Sequence, residues 1–502
     1  MKIITKYFIL LSICFASQTG NAQLDREWLN NYSTADTAYM NVIGLFDAGN
    51  GNVLKATLVS KYTGSETFNR LLLRKIAPSG MTIWEETYEH PQYDQFYLKS
   101  GGIDQNGNTY FSGHIVMNQA ESNWFVISFD ANGQERWQSN IVENLYSSGG
   151  SQFCITDNNG NTYVSGNVND GGFSIGTIVK YDQAGNEEWV KYDADNYAYG
   201  ADMIVAANGD LIACDGQYEL TRFAPDGELL WNTPDTAEFL YVMPQIAEAP
   251  DGSIYAISFL GYNYSLKKLN ANGVFQWNYN QFAEYLAFGD ISVDVNTDSQ
   301  NFIYLSGINS TDQNEYQSAV FKFTPNGDEV WRQELSPETY DVTDLLLLDN
   351  DQPVIASSNW DGSAYHTAVY LLNGQNGDVI DDDTLSAAGT EHHLMYNEAG
   401  LYLAGTGNFS TALARYDNTL AISDNDSNEQ VLVYPNPFTD EIMVQSSLGN
   451  AVFECSDLSG KVVRSGILGN GSISLYDLAP GMYNLTIRSN SGSAVTKRIV
   501  KS

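Results

Sequence analysis

An all-β chain built from repeated short strands is predicted by three observations. The composition is β-prone and rich in turns, with 13% aromatic residues and 43 glycines. Charged residues make up only 17% of the 502 residues, so the chain does not read as a disordered acidic segment. Two short motifs also recur with a period of about 50 residues, the signature of a repeat architecture.

The first motif is an Asn-Gly or Asp-Gly turn followed by an apolar strand. It is clearest at Asp104-Gln105-Asn106-Gly107-Asn108-Thr109-Tyr110 and Asp157-Asn158-Asn159-Gly160-Asn161-Thr162-Tyr163. Looser copies begin at Asn50, Asn208, Asp251, Asn301, Gln352 and Ala399, making eight. The second motif is Gly-x-x-x-Trp: Gly80 to Trp84, Gly133 to Trp137, Gly185 to Trp189, Gly227 to Trp231, Gly273 to Trp277 and Gly327 to Trp331. A seventh copy, Gly377 to Ile380, is degenerate, and the eighth region, around Arg415-Tyr416-Asp417-Asn418, has no Trp.

Each repeat therefore supplies four strands, A to D. Asn and Gly accept the positive φ that tight hairpins need, which places the first motif between A and B and the second between C and D. A lone four-stranded sheet leaves apolar faces exposed, whereas radial stacking buries them and protects the edges. The expected architecture is an eight-bladed β-propeller, alternatively seven-bladed, over residues 23–420. The N-terminal Trp28-Leu29-Asn30-Asn31-Tyr32 would fill the strand missing from the last repeat and close the ring.

The chain ends read differently. Lys2 and Lys6 precede the ten-residue apolar run Tyr7 to Ala16, too short to span a bilayer, and Gly20-Asn21-Ala22 offers small residues for cleavage. Residues 1–22 are expected to be a signal peptide for Sec-type export, leaving no transmembrane segment in the mature chain. Cys154, Cys214 and Cys455 are too sparse and odd in number for a disulfide framework. Residues 421–430 form a polar linker. Beyond it the acid excess disappears, since residues 431–502 hold five acids and six bases. Short alternating strands there predict a small β-sandwich.

That last segment carries Tyr434-Pro435-Asn436-Pro437-Phe438, Asp457-Leu458-Ser459-Gly460-Lys461, Ala479-Pro480-Gly481-Met482-Tyr483 and the basic end Lys497-Arg498-Ile499-Val500-Lys501. In this order the motifs resemble the C-terminal sorting domain of cargo for the type IX secretion system of Bacteroidetes-type bacteria. The resemblance implies the type IX machinery as a partner, passage through the outer membrane, and a secreted or surface-displayed product. It also names Tyr434, Pro435, Asn436, Pro437, Phe438, Gly481, Tyr483, Lys497 and Arg498 as sorting-motif residues. The middle resembles quinoprotein-type propellers through its Gly-x-x-x-Trp motif. Their quinone cofactor requires adjacent cysteines, and this chain has no Cys-Cys pair, so no cofactor is expected. Sialidase-type Asp boxes place Gly three residues before Trp, not four, and do not match.

The formal net charge of −37 excludes nucleic acid as a default partner, because a polyanion needs a basic face. Loop variation on a rigid scaffold is where binding usually lies, and the B–C loops and D–A crossovers vary most. A tyrosine follows each motif Trp, and Trp28, by 8–13 residues: Tyr39, Tyr97, Tyr146, Tyr199, Tyr241, Tyr285 and Tyr340. With Asp202, Glu238, Glu284 and Asp341 nearby, they would line an acid-rimmed aromatic funnel that stacks sugar rings or grips a cationic segment. The same tyrosines would also serve packing in a chain that has 32 of them.

Other features read as structural. The Asp-Asn-Asn-Gly-Asn turn lacks the Asp spacing and distal Glu of a calcium loop. Asp381-Asp382-Asp383 is expected in a solvated loop, and His392-His393 comes without a nucleophile motif. Asp36-Thr37-Ala38, Asp235-Thr236-Ala237 and Asp383-Thr384-Leu385 match a short bacterial O-glycosylation tripeptide. Two functions follow: a non-enzymatic secreted or surface module that binds a glycan or protein, or an extracellular polysaccharide hydrolase or lyase on the same scaffold.

Overall fold

The computed structural model describes residues 24–33, 38–417 and 431–501, apart from 65, 119–120, 140–147, 171–172, 194–198, 216–219, 234–244, 261–262, 283–293, 313–314, 336–338, 361–363, 386–390, 408, 435–437, 447–450, 457–460, 469–470, 480 and 489–493. Leu24–Asn418 forms one compact unit, and Thr419–Ser502 belongs to a second. Every described element is a β-strand.

Within the first unit the described strands make eight four-stranded antiparallel sheets. Sheet 1 is typical: strand A is Tyr39–Asp47, B Val53–Tyr62, C Thr67–Ile76 and D Thr82–Tyr88. Sheets 2 to 7 follow in chain order over residues 96–139, 148–193, 199–232, 245–282, 294–334 and 339–385. Sheet 8 takes strands A to C from Glu391–Asn397, Gly400–Thr406 and Ser410–Asp417, and its strand D is Asp25–Ser33. Arg26 pairs with Tyr416 and Tyr32 with Thr411 across that junction.

Both turn families carry the backbone the sequence predicts. Gly107 and Gly160 at the A–B turns, and Gly133 and Gly185 at the C–D turns, have φ near +80°. In the looser A–B copies Asn301 and Asp351 occupy the left-handed region instead, at φ 67° and 61°. The Asp of the clearest copies closes the turn on itself. Asp104 Oδ1 accepts from the backbone N–H groups of Asn106 and Asn108, while Oδ2 accepts from Asn108 Nδ2 and the Tyr110 hydroxyl. The carboxylate is thus fully engaged as an Asx turn.

The Gly-x-x-x-Trp motif works between sheets. Each Trp lies against the motif glycine of the following sheet: Trp28 of sheet 8 on Gly80, Trp84 on Gly133, Trp137 on Gly185, Trp189 on Gly227, Trp231 on Gly273, Trp277 on Gly327 and Trp331 on Gly377. The indole N–H also donates to a carbonyl just before that glycine, as in Trp28 to Pro78 (2.8 Å), Trp137 to Gln183 (3.1 Å) and Trp277 to Pro325 (3.2 Å). Burying half of an indole stabilises each junction by about 2 kcal/mol.

Position 380 has no such turn to dock on. The following sheet is sheet 8, whose strands C and D come from opposite ends of the first unit and have no turn between them. This accounts for the isoleucine in the degenerate seventh copy. It also relocates Asp381-Asp382-Asp383, expected in a solvated loop. They lie in strand Val379–Leu385, where Asp381 accepts from the Leu24 N–H (2.8 Å). Asp383 there accepts from the Tyr416 hydroxyl (2.9 Å) and pairs with Arg26 (3.1 Å).

A third repeated element links the sheets and escapes a reading by spacing alone. Tyr110, Tyr163, Tyr255, Tyr304 and Tyr402, all in strand B, are almost wholly buried. Beside them, Lys180, Lys268 and Lys322 reach over the ring to the next sheet's C–D turn, donating to the carbonyls of Pro225, Pro325 and Gly374 at 2.8–2.9 Å. At the junction of sheets 8 and 1 the cation is Lys55, which is 1% exposed, donates to the Thr411 hydroxyl and lies 4.4 Å from the Tyr32 ring. Burial and nearby Arg74 hold its ammonium pKa well below the usual lysine range.

Closeness at the motif glycines sets a stability prediction. A Cβ on Gly273 would stand 2.5 Å from Trp231 Cδ2, at φ +74°, whereas one on Gly49 meets nothing within 4 Å at φ +73°. Gly273→Ala is expected to cost about 3 kcal/mol, combining the left-handed backbone penalty with a displaced indole. Gly49→Ala should cost only the backbone part, about 1 kcal/mol. Chemical denaturation of both variants measures the difference.

The second unit holds two antiparallel sheets. One joins Val431–Tyr434, Glu441–Ser446 and Ser472–Ser474; the other runs in the order Val462–Ile467, Val452–Ser456, Gly481–Arg488, Ala494–Lys501. Their shared core includes Phe438, Ile442, Cys455, Ile473, Leu485, Ile487 and Ile499.

Candidate functional site

Strands A to D alternate in direction, so the tight A–B and C–D turns share one face of the repeat unit. A Cβ on Gly107 would touch Ala131, and one on Gly252 would touch Ala271, placing neighbouring turns of the two families side by side. The B–C hairpin ends and the D–A crossovers lie at the opposite end of the strands.

At that end the expected tyrosines do not share one environment. Tyr39 opens strand A of sheet 1, is 56% exposed and packs its ring 5.0 Å from Phe409. Tyr97 is half-buried, with its ring stacked 5.1 Å from His114. Tyr199 and Tyr340 lie on the first strands of sheets 4 and 7. Tyr146, Tyr241 and Tyr285 lie outside the described residues, as do Glu238 and Glu284. Asp341 pairs in the strand with Ser358.

Asp202 belongs to the interior. It is 5% exposed, and its oxygens accept from the N–H groups of Met203 and, in the next sheet, Ile246, both at 2.8 Å. Asp294 and Asp344 repeat the pattern, accepting from Leu345 (3.0 Å) and Leu394 (2.7 Å) of the following sheets. Burial raises all three carboxyls, Asp202 to about 7 and Asp344 to about 6, and the Asp344 charge lifts Asp294 further. These carboxylates join first strands of neighbouring sheets through backbone hydrogen bonds. His392 and His393 do similar work: Nε2 of His392 meets the Thr367 hydroxyl at 3.0 Å, and Nε2 of His393 donates to the Val42 carbonyl at 2.9 Å. Burial depresses both, His392 to about 3.

Aromatic groups that the spacing rule missed are exposed at the B–C ends of three consecutive sheets. Trp360 of sheet 7 is 41% exposed with Tyr365 at 4.7 Å, Phe409 of sheet 8 is 47% exposed beside Tyr39, and Tyr62 of sheet 1 is 66% exposed. Their signal is a position at a hairpin end rather than a fixed distance from the motif Trp. The crossover between sheets 1 and 2, residues 89–95, is fully described and encloses a cavity of about 250 Å³ with Asn69, His90 and Tyr93 in its lining. Tyr93 stands nine residues after Trp84, inside the same sequence window as Tyr97.

In the second unit Phe438 is buried and bridges Lys501, whose ammonium lies 5.6 Å from the ring centroid. Tyr483 is buried with its hydroxyl donating to the Ala479 carbonyl (2.8 Å). Gly481 opens the strand that pairs with the one carrying Lys497 and Arg498, and Tyr434 ends the first strand. Pro435, Asn436 and Pro437 lie outside the described residues.

Residues 432–502 match the family model described as the secretion system C-terminal sorting domain. This supports export by type IX secretion and points to a secreted or surface-attached product. No curated protein matches the chain. Among solved structures it is similar to PorZ of Porphyromonas gingivalis, described as an essential bacterial surface component of the type-IX secretion system. The two are 11% identical with a TM-score of 0.42, over 90% of this chain and 69% of that one. No helix among the described residues is long and apolar enough to cross a membrane.

Proposed function

We propose that residues 23–420 form an eight-bladed β-propeller displayed outside the cell after Sec-type export on the leader 1–22, and that it is a binding module for a glycan or protein. Eight four-stranded sheets, with sheet 8 bonded to sheet 1 through His393 and Val42, support the ring. The quinoprotein likeness extends to the Trp-on-Gly docking and not to a cofactor.

The observation that carries the binding role is the run of exposed aromatic rings, Trp360, Phe409, Tyr39 and Tyr62, at the B–C ends of sheets 7, 8 and 1. Exposed rings on rigid hairpin ends stack well on sugar faces and anchor protein partners. The expected tyrosine funnel narrows accordingly to Tyr39 and these neighbours. A hydrolase or lyase would need free carboxyls, and the neighbouring Asp294 and Asp344 both accept backbone N–H groups.

A glycan and protein array with the full chain tests this. The wild type is expected to bind at least one polymeric glycan or protein, and Trp360→Ala with Phe409→Ala is expected to weaken it at least tenfold with an unchanged melting curve. Equal binding by wild type and variant removes the aromatic face from the binding role.

A further inference from the structure

The cavity at the crossover between sheets 1 and 2 contains two buried polar atoms with no hydrogen-bond partner among the described residues, Asn69 Oδ1 and His90 Nε2. Both have a defined chemical sense. Asn69 is 5% exposed, and its Nδ2 donates to the Phe96 carbonyl at 2.5 Å, which leaves Oδ1 as an acceptor. His90 Nδ1 accepts from the N–H groups of Gln92 and Tyr93, each at 3.2 Å. A nitrogen that accepts two N–H groups holds the lone pair, so in the neutral ring Nε2 carries the proton and is a donor. Burial favours that neutral ring by lowering the His90 pKa.

Leaving a buried donor or acceptor unsatisfied costs about 1–3 kcal/mol, so a pair of them in one cavity calls for an occupant. The charged lining cancels, with Lys61 and Arg70 against Glu89 and Asp94. A carboxylate or phosphate would satisfy His90 and be repelled by Asn69 Oδ1. An ammonium would satisfy Asn69 and be repelled by the His90 N–H. A hydroxyl both donates and accepts, and adjacent hydroxyls serve the two groups together. Tyr93 adds an aromatic face to the lining. At about 250 Å³ the space is smaller than the roughly 300–1,000 Å³ of drug-sized sites and suits a single ring.

We propose that this cavity is a subsite for one neutral sugar ring, held by Asn69 Oδ1, His90 Nε2–H and the Tyr93 ring. The assignment rests on reading the B–C and crossover end as the binding face, and it names the ligand class there.

The test is a titration of the full chain with glucose, galactose, mannose and N-acetylglucosamine, followed by saturation-transfer NMR and calorimetry. At least one is expected to bind, and His90→Phe, which keeps a ring against Phe125, is expected to weaken it about tenfold, the loss of one or two hydrogen bonds. Tyr93→Ala should weaken the same sugar and serves if His90→Phe does not fold. No binding by any of the four sugars overturns the subsite, as does equal binding by wild type and both variants. The aromatic face is read separately on the array: a polymer that depends on Trp360 while no single sugar binds leaves that face standing and removes the subsite. A sugar that depends on His90 while the array is silent does the reverse.

Discussion

Deleting residues 23–40 is expected to lower the unfolding temperature by about 10 °C or more, a larger effect than that of any point substitution at a sheet junction. The deletion removes strand Asp25–Ser33, exposes the edge of Ser410–Asp417, and takes Trp28 from its seat on Gly80. It also strips Lys55 and Arg74 of the Tyr32 ring, which lies 4.4 and 4.0 Å from them, and leaves Asp383 without Arg26. Loss of a large aromatic from a packed site alone costs about 3 kcal/mol, and an unpaired strand edge adds to it. Trp28→Ala should give a smaller drop of about 2 kcal/mol, because its indole is only partly buried. Differential scanning calorimetry of the full chain against both variants measures this. An unchanged transition in the deletion would show that sheet 8 does not need its fourth strand, and the ring reading would fall with it.

Asp202→Asn is expected to change the pH dependence of stability. The Asp202 carboxyl titrates near 7 in the folded protein because burial opposes its charge, against about 4 in an unfolded chain. Between those values the native state holds a proton that the unfolded state has lost. Stability from this group is therefore fully present below pH ~4 and falls as pH rises through ~7. His392 acts in the opposite sense. Its folded pKa near 3 means that stability is lost as pH drops below ~6.5, where the unfolded imidazole takes up a proton. Above ~6.5 the histidine contribution is constant and the acids set the slope, so the wild-type melting temperature should decline from about pH 6.5 to about pH 8.

In Asp202→Asn the histidines are unchanged and cancel from the comparison. The variant loses one acceptor for the Met203 or Ile246 N–H, so it should be the less stable protein at about pH 5. Each pKa unit is worth about 1.4 kcal/mol, so the difference should move in the variant's favour by about 2–4 kcal/mol on going to about pH 8. Parallel stability curves for the two proteins would show that Asp202 titrates normally.

Much of the fold can be read from the sequence because its governing interactions are local. A glycine at positive φ and a Trp four residues on identify a C–D hairpin, and its neighbours repeat it. The pairing of Trp28's strand with Tyr416's is readable from an inventory that is one strand short. What escapes are features whose cause lies in another sheet. Ile380 reads as decay and is a position without a turn to receive it. Asp381 and Asp383 read as a solvated loop because their partners, Leu24, Arg26 and Tyr416, are distant in sequence. The site is less legible still. A fixed offset from Trp selects Tyr97, which stacks on His114, over Tyr93, which lines the cavity. Asn69 and His90 stand out only once their hydrogen bonds are known.

The stitched sheet has a consequence for how the protein is made. Asp25–Ser33 is among the first parts of the mature chain to leave the ribosome, and its partner strand ends at Asp417, so the first-born strand waits for the last before it can pair. Such distant pairing is slow to form and keeps the nascent molecule open until its whole length has been delivered. A prematurely terminated chain would carry a bare, sticky margin that proteases and chaperones can recognise. The same device that seals the finished molecule thereby distinguishes complete copies from incomplete ones.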